Sequence, residues 1–197
     1  MNNNSENSAK GKALILVDES NLYYGFKKQS WELDYKKFYQ WLHEEFNPLD
    51  VYVFSGIVTK KMFFDKHSEY HTLGGFIKWK KDKEMFVKNL KSIGYKVKTK
   101  PVSSLYDNTI GAYKRKCNFD VEITIIAMDK IAEYQELVLC SGDGDFIKLI
   151  KYAKGKHKKT TIIAHGDRLN KDLAITANRK ITFQSIKTFI EKKKELP

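Results

Sequence analysis

Cysteine and proline are scarce in this chain: two and three, respectively, in 197 residues. Cys117 and Cys140 lack the paired spacing of a zinc site and are too few for a disulfide framework. A reduced, cytoplasmic protein held by its apolar core is the simplest reading. There is no stretch rich in proline or serine to serve as a linker, and no internal repeat. No apolar run approaches the roughly 18 residues of a membrane-spanning helix. Residues 1–12 are polar, with several Asn and Ser, and read as a disordered tail rather than a leader or an anchor. The glycine signatures of nucleotide binding are missing as well. Gly-x-x-x-x-Gly-Lys-Ser/Thr is absent, and only Gly142 and Gly144 answer to Gly-x-Gly-x-x-Gly.

Lysine is what the chain has in excess. Lys and Arg number 36 against 24 Asp and Glu, a formal net charge of +12. Such a balance points to a polyanionic partner, nucleic acid ahead of an anionic membrane surface. A lysine-rich solvated surface would account for the charge by itself. It would not account for the acids described next.

Apolar, β-rich runs near 13–17, 50–55, 95–99, 136–140 and 160–164 alternate with helical patterns near 34–46, 82–93, 120–133 and 145–154. Tyr35, Phe38, Trp41, Leu42 and Phe46 form one helical stripe; Phe86, Leu90 and Ile93 form another, with Gly94 as its stop. The alternation predicts an α/β fold over residues 13–197, a mostly parallel central sheet with helices on both faces in one domain. Residues 185–196 read as a short helix covering an edge. Residues 60–83 and 101–118 are irregular, the first a candidate lid or insertion beside the sheet.

The most informative stretch is Val138-Leu139-Cys140-Ser141-Gly142-Asp143-Gly144-Asp145-Phe146. It reads as a buried strand, a tight turn and a helix start, with two carboxylates at the turn. Asp18 stands in the same setting, ending the apolar run Ala13 to Val17, and Asp120 follows the basic Lys114-Arg115-Lys116. Acids past the ends of neighbouring central strands lie where α/β sheets place their sites. If the sheet brings them together, Asp18, Asp120, Asp143 and Asp145 form a cluster whose mutual repulsion calls for a cation. Oxygen donors with no His or Cys among them favour Mg²⁺ or Mn²⁺ over Zn²⁺. A metal so held activates water and neutralises charge on a phosphodiester. Helix capping is the plainer role for Asp143 or Asp145. Asn21 and Ser141 are candidates for positioning water or phosphate, and turn formation explains either equally well.

Other polar residues rank lower. On a helix beginning near Asp120, Glu122 and Asp129 point away from it. His67 and His71 read as surface residues, and His165 as a bystander at the edge of the site. Lys114, Arg115 and Lys116, together with Lys78 to Lys81 and Lys154 to Lys159, are cationic runs able to hold a nucleic-acid backbone. Trp79, Tyr113 and Tyr23-Tyr24 would supply stacking faces beside them.

Together these motifs resemble a known family. Val17-Asp18-Glu19-Ser20-Asn21 is similar to an opening Asp-x-x-Asn. Lys116 to Val121 is similar to Lys-x-x-x-Asp-Val, and Asp129 to a recurring later Asp. Ser141 to Phe146 resembles the hallmark Ser-Gly-Asp-x-Asp-Phe. The set, in this order over about residues 13 to 183, resembles that of the NYN domain of the PIN-like nuclease superfamily, in its LabA-like branch. The resemblance implies a PIN-like fold, a Mg²⁺ or Mn²⁺ site built on Asp18, Asp120 and Asp143 with Asp145 close by, and ribonuclease activity, most simply endonucleolytic. It further implies an RNA partner, single-stranded or structured, with 3′-hydroxyl and 5′-phosphate products. The family often has Gly after the first Asp; Glu19 adds a further carboxylate there. The alternatives are a non-catalytic RNA-binding or regulatory NYN module, and a regulator using only its basic surface. No membrane association is expected, and a homodimer stays open. A haloacid-dehalogenase phosphatase is excluded, since it needs Asp-x-Asp where this chain has Asp18-Glu19-Ser20.

Overall fold

A computed structural model describes residues 11–60, 72–109 and 112–193, and the side chains of 103–107 and 112–116 are outside the description. Most of the tail, His67, His71 and the side chains of Lys114, Arg115 and Lys116 therefore lie outside the described residues.

Six strands form the central sheet: β1 (Lys12–Asp18), β2 (Asn47–Ile57), β3 (Lys96–Pro101), β6 (Glu136–Cys140), β7 (Lys159–Ala164) and β8 (Arg179–Thr182). Their order is β3-β2-β1-β6-β7-β8 and every pairing is parallel. A separate antiparallel hairpin, β4 (Ser103–Asp107) with β5 (Ala112–Lys116), occupies most of the second segment whose pattern reads as irregular. β8 is also unannounced by pattern: in four residues it buries only Ile181 fully.

Helices cover both faces, as a parallel sheet requires. The alternation within β1 sorts them. Ala13, Ile15 and Val17 pack with Leu22 of α1 (Glu19–Phe26), Phe38 and Leu42 of α2 (Tyr35–Glu45), Leu90 of α3 (Leu73–Ile93) and Ile190 of α7 (Lys187–Ile190). Leu14 and Leu16 face Ile123 and Ala127 of α4 (Asp120–Asp129), Leu149, Ile150 and Ala153 of α5 (Ile147–Gly155) and Leu173 of α6 (Lys171–Thr176). With both its faces covered, β1 is a continuous apolar run rather than an alternating one. Gly94, at φ +123°, ends α3 in a backbone conformation that favours glycine.

Chain order runs outward from β1 through β2 to β3 on one side, and from β6 through β7 to β8 on the other. The reversal falls between β1 and β6. At such a switch point the loops leaving the two strands splay apart and open a crevice at their carboxyl ends.

Candidate metal centre

Both strands that flank the switch point end in a polar group. β1 and β6 are in register with Val17 opposite Cys140, so Asp18 and Ser141 emerge side by side. Asp18 begins α1 as its N-cap, its Oδ1 accepting from the Asn21 backbone N–H at 3.2 Å and from the Ser20 hydroxyl at 2.7 Å. Its Oδ2 accepts from the Ser141 hydroxyl at 3.2 Å, and that same hydroxyl oxygen accepts from the Asp143 N–H at 3.3 Å. One buried hydroxyl thus joins the two acidic loops. Asn21 adds a second link, its side-chain oxygen accepting from the Gly142 N–H at 3.1 Å.

Asp143 caps the short 3-10 turn Gly144–Phe146 by accepting from the Asp145 N–H at 3.0 Å. Asp120 opens α4, its backbone N–H held by the Asn118 side chain at 2.7 Å. Capping and convergence therefore coexist. Asp120, Asp143 and Asp145 each offer a carboxylate oxygen within 4.8 Å of the others. Oxygen ligands about 2.0–2.6 Å from a hard cation lie up to roughly 5 Å apart across it, so this triad fits one ion. Asp18, expected as a ligand, is not a member of the triad: it is buried and bound to protein donors, whereas Asp145 is an exposed member.

The electrostatics carry the mark of that crowding. Burial raises the Asp18 carboxyl above its usual range, against the three hydrogen bonds that lower it, and the Asp143 charge adds to the rise. Burial likewise raises Asp120, partly offset by Asn118, and the charges of Asp143, Asp18 and Asp145 push it further. A cation in the crevice would relieve these repulsions.

The remaining candidates divide. Glu19 stays out of the triad: its Oε2 accepts from the Ser55 hydroxyl at 2.9 Å and lies 3.6 Å from the Lys83 ammonium, which itself donates to Ser55 at 2.7 Å. Glu122 turns to Lys100 at 2.6 Å, and that contact holds its carboxyl below the usual range. Asp129 lies at the opposite end of α4 from Asp120. His165 is fully buried against Phe26 and Phe183, away from solvent. Ser55 and Lys83 carry no signal in the sequence. Ser55 reads as an ordinary strand residue, and Lys83 is one lysine of many until α3 brings it over the end of β2.

Comparison with known proteins follows the same lines. The NYN domain family model matches residues 12–190. The low amplitude and bright protein LabA of Synechococcus elongatus is 27% identical over 181 residues, covering 90% of this chain and 87% of that protein. A crystal structure of a Vibrio parahaemolyticus protein of unknown function superposes with a TM-score of 0.69 at 21% identity, over 96% of this chain and 99% of the other. That likeness supports the fold.

Proposed function

Because the chain belongs to the NYN domain family, within the PIN-like nuclease superfamily, we propose that it is a metal-dependent ribonuclease, acting as an endonuclease. The observation that carries this reading is the convergence of Asp120, Asp143 and Asp145, with Asp18 tied to the Asp143 loop through Ser141, at the sheet's switch point. Asp120, Asp143 and Asp145 would hold a Mg²⁺ or Mn²⁺ ion, with Asp18 supporting the site through its Ser141 contact. The donors are hard oxygens, and no His or Cys belongs to the triad. When bound, such an ion supplies Lewis-acid polarisation of a phosphate and acidification of a water.

The chain's own residues do the rest. Ser141 fixes the Asp18 carboxylate and the Asp143 backbone with one hydroxyl, so the two acidic loops cannot drift apart independently. Asn21 spends its oxygen on Gly142, which leaves its amide NH₂ as the donor for a phosphate oxygen of RNA. Asp145, the exposed member of the triad, would hold the ion through one carboxylate oxygen and leave the other to accept a proton from the attacking water. Lys114, Arg115 and Lys116, on β5 just ahead of α4, would hold the RNA backbone beside the acids.

A Mn²⁺-dependent cleavage assay on end-labelled single-stranded RNA tests the reading. Asp143→Asn should lower the rate by about two or more orders of magnitude, because it removes one ligand charge and keeps the side chain's shape. Full activity in that variant would remove the assignment. RNA binding by the wild type with no cleavage would leave a non-catalytic NYN module.

A further inference from the structure

We propose a nucleobase-binding groove between α3 and the ends of β2 and β3, which selects an unpaired RNA strand and leads it to the acidic site. This rests on the ribonuclease reading for its consequence, though not for its geometry. The groove has a volume of about 370 Å³. That lies within the roughly 300–1,000 Å³ of small-molecule pockets and is too small for a duplex. Trp79 and Val87 of α3 and Ile57 at the end of β2 supply its apolar lining. Lys80, Lys83 and Lys88 stand around them. Trp79, Lys83 and Val87 are four residues apart, so they fall on one helical face.

Charge complementarity and position name the occupant. An apolar floor holding Trp79, flanked by the stems of Lys80, Lys83, Lys88 and Lys91, matches a base whose neighbouring phosphates meet cations at the rim. Glu84 is the one acid among the lining residues and pairs with Lys80, Lys83 pairs with Glu19 beyond the groove, and Lys88 and Lys91 complete a basic lining. Lys83 connects the groove to the acids, since its ammonium meets Ser55 and Glu19, the residue next to Asp18. A strand with one base on Trp79 therefore passes Lys83 before it reaches Asp18 and the triad. Bases in a duplex are stacked and paired, and cannot enter; an unpaired strand can.

The test uses the full-length chain in EDTA, so that binding is read without cleavage. Anisotropy is measured with a short labelled single-stranded RNA and with the same strand hybridised to its complement. Trp79→Ala should weaken single-strand binding by about 5- to 100-fold, the loss expected for one base–aromatic stack. Trp79→Phe should stay within about 3-fold of wild type, and duplex binding should not change in either. RNA should also quench the wild type's tryptophan emission but not that of Trp79→Phe, since Trp31 and Trp41 are buried. Unchanged single-strand affinity in Trp79→Ala, or equal losses on single strand and duplex, would overturn the groove. Asp143-dependent cleavage alongside that result would leave the ribonuclease reading standing. Trp79-dependent binding without metal-dependent cleavage would support the groove and remove the nuclease.

Discussion

At the scale of single residues, the acids are held in place by donors chosen to tolerate negative charge. Asp18 is buried at the strand end, where Ser20, the Asn21 N–H and Ser141 offset part of the cost of burying it. Burial first, and then the charges of Asp143, Asp18 and Asp145, raise the Asp120 pKa, and this has a consequence for stability. The folded protein holds that proton more tightly than the unfolded chain, whose carboxyl titrates near 3.8. Folding is therefore penalised above the folded pKa, and the penalty fades as pH falls through it and is gone below the unfolded value. Metal-free Asp120→Asn should melt slightly higher than wild type at neutral pH, because the penalty on the charged carboxyl is removed. The gain should vanish as the pH approaches about 4. Mn²⁺ should raise the melting temperature of wild type more than that of the variant. A variant that melts lower at every pH, measured by circular dichroism, would deny that the charged carboxyl is penalised in the fold. These acids are legible in the sequence because each stands at, or within a few residues of, the end of an apolar run or the start of a helix. The Glu19–Ser55–Lys83 contact is not, since no local pattern tells which lysine will lie over a given strand end.

At the scale of elements, long strands and amphipathic helices can be read from sequence, and short or exposed ones cannot. β1, β2, β6 and β7 carry continuous buried runs, and α2 carries its stripe. The start of α3 is different: Leu73, Phe76 and Ile77 are apolar, but Gly74 and Gly75 weaken the helical signal and Leu73 and Ile77 stay exposed, so the pattern declares a helix only from residue 82. α1 escapes the pattern because it is short and buries only Leu22 and Gly25 fully. The loop after β6 shows how elements fix the site's shape. A Cβ on Gly142 would collide with the Arg168 carbonyl oxygen, and the Gly142 carbonyl accepts from the Asn170 N–H at 2.9 Å. The loops after β6 and β7 are thereby packed backbone to backbone, and only glycine permits it. Gly142→Ala must push them apart, at a cost of about 1–3 kcal/mol, as overpacking does. Its melting temperature should fall by several degrees, and its Mn²⁺ affinity should fall too, because Ser141 and Asp143 flank the displaced residue. Unaltered melting and metal binding would mean that the loop after β7 yields freely.

At the scale of the whole molecule, a chain of net charge +12 concentrates four aspartates at one edge of its sheet. The two facts belong together. The excess of lysine attracts a polyanion over the whole surface, while the acids would repel that polyanion locally unless a cation stood between them. RNA binding should therefore depend on salt in two separable ways. The general attraction weakens as salt rises, because each phosphate neutralised releases condensed counterions, with a slope of about −0.7 per neutralised phosphate for single strands. The metal-dependent interaction at the acids should add affinity at any fixed salt concentration. Replacing Lys114, Arg115 and Lys116 together with Ala should thus flatten the plot of log affinity against log salt by about 2, because three phosphate-neutralising cations are removed. The extra affinity conferred by Mn²⁺ should remain in that variant, since the triad is untouched. Binding of labelled RNA to Asp143→Asn, followed by anisotropy at several salt concentrations, supplies the converse case: its salt slope should match wild type and its Mn²⁺ increment should shrink. If the triple variant keeps the wild-type slope, those three residues belong to the general solvated surface, and the backbone-binding cations must be sought among the lysines of α3.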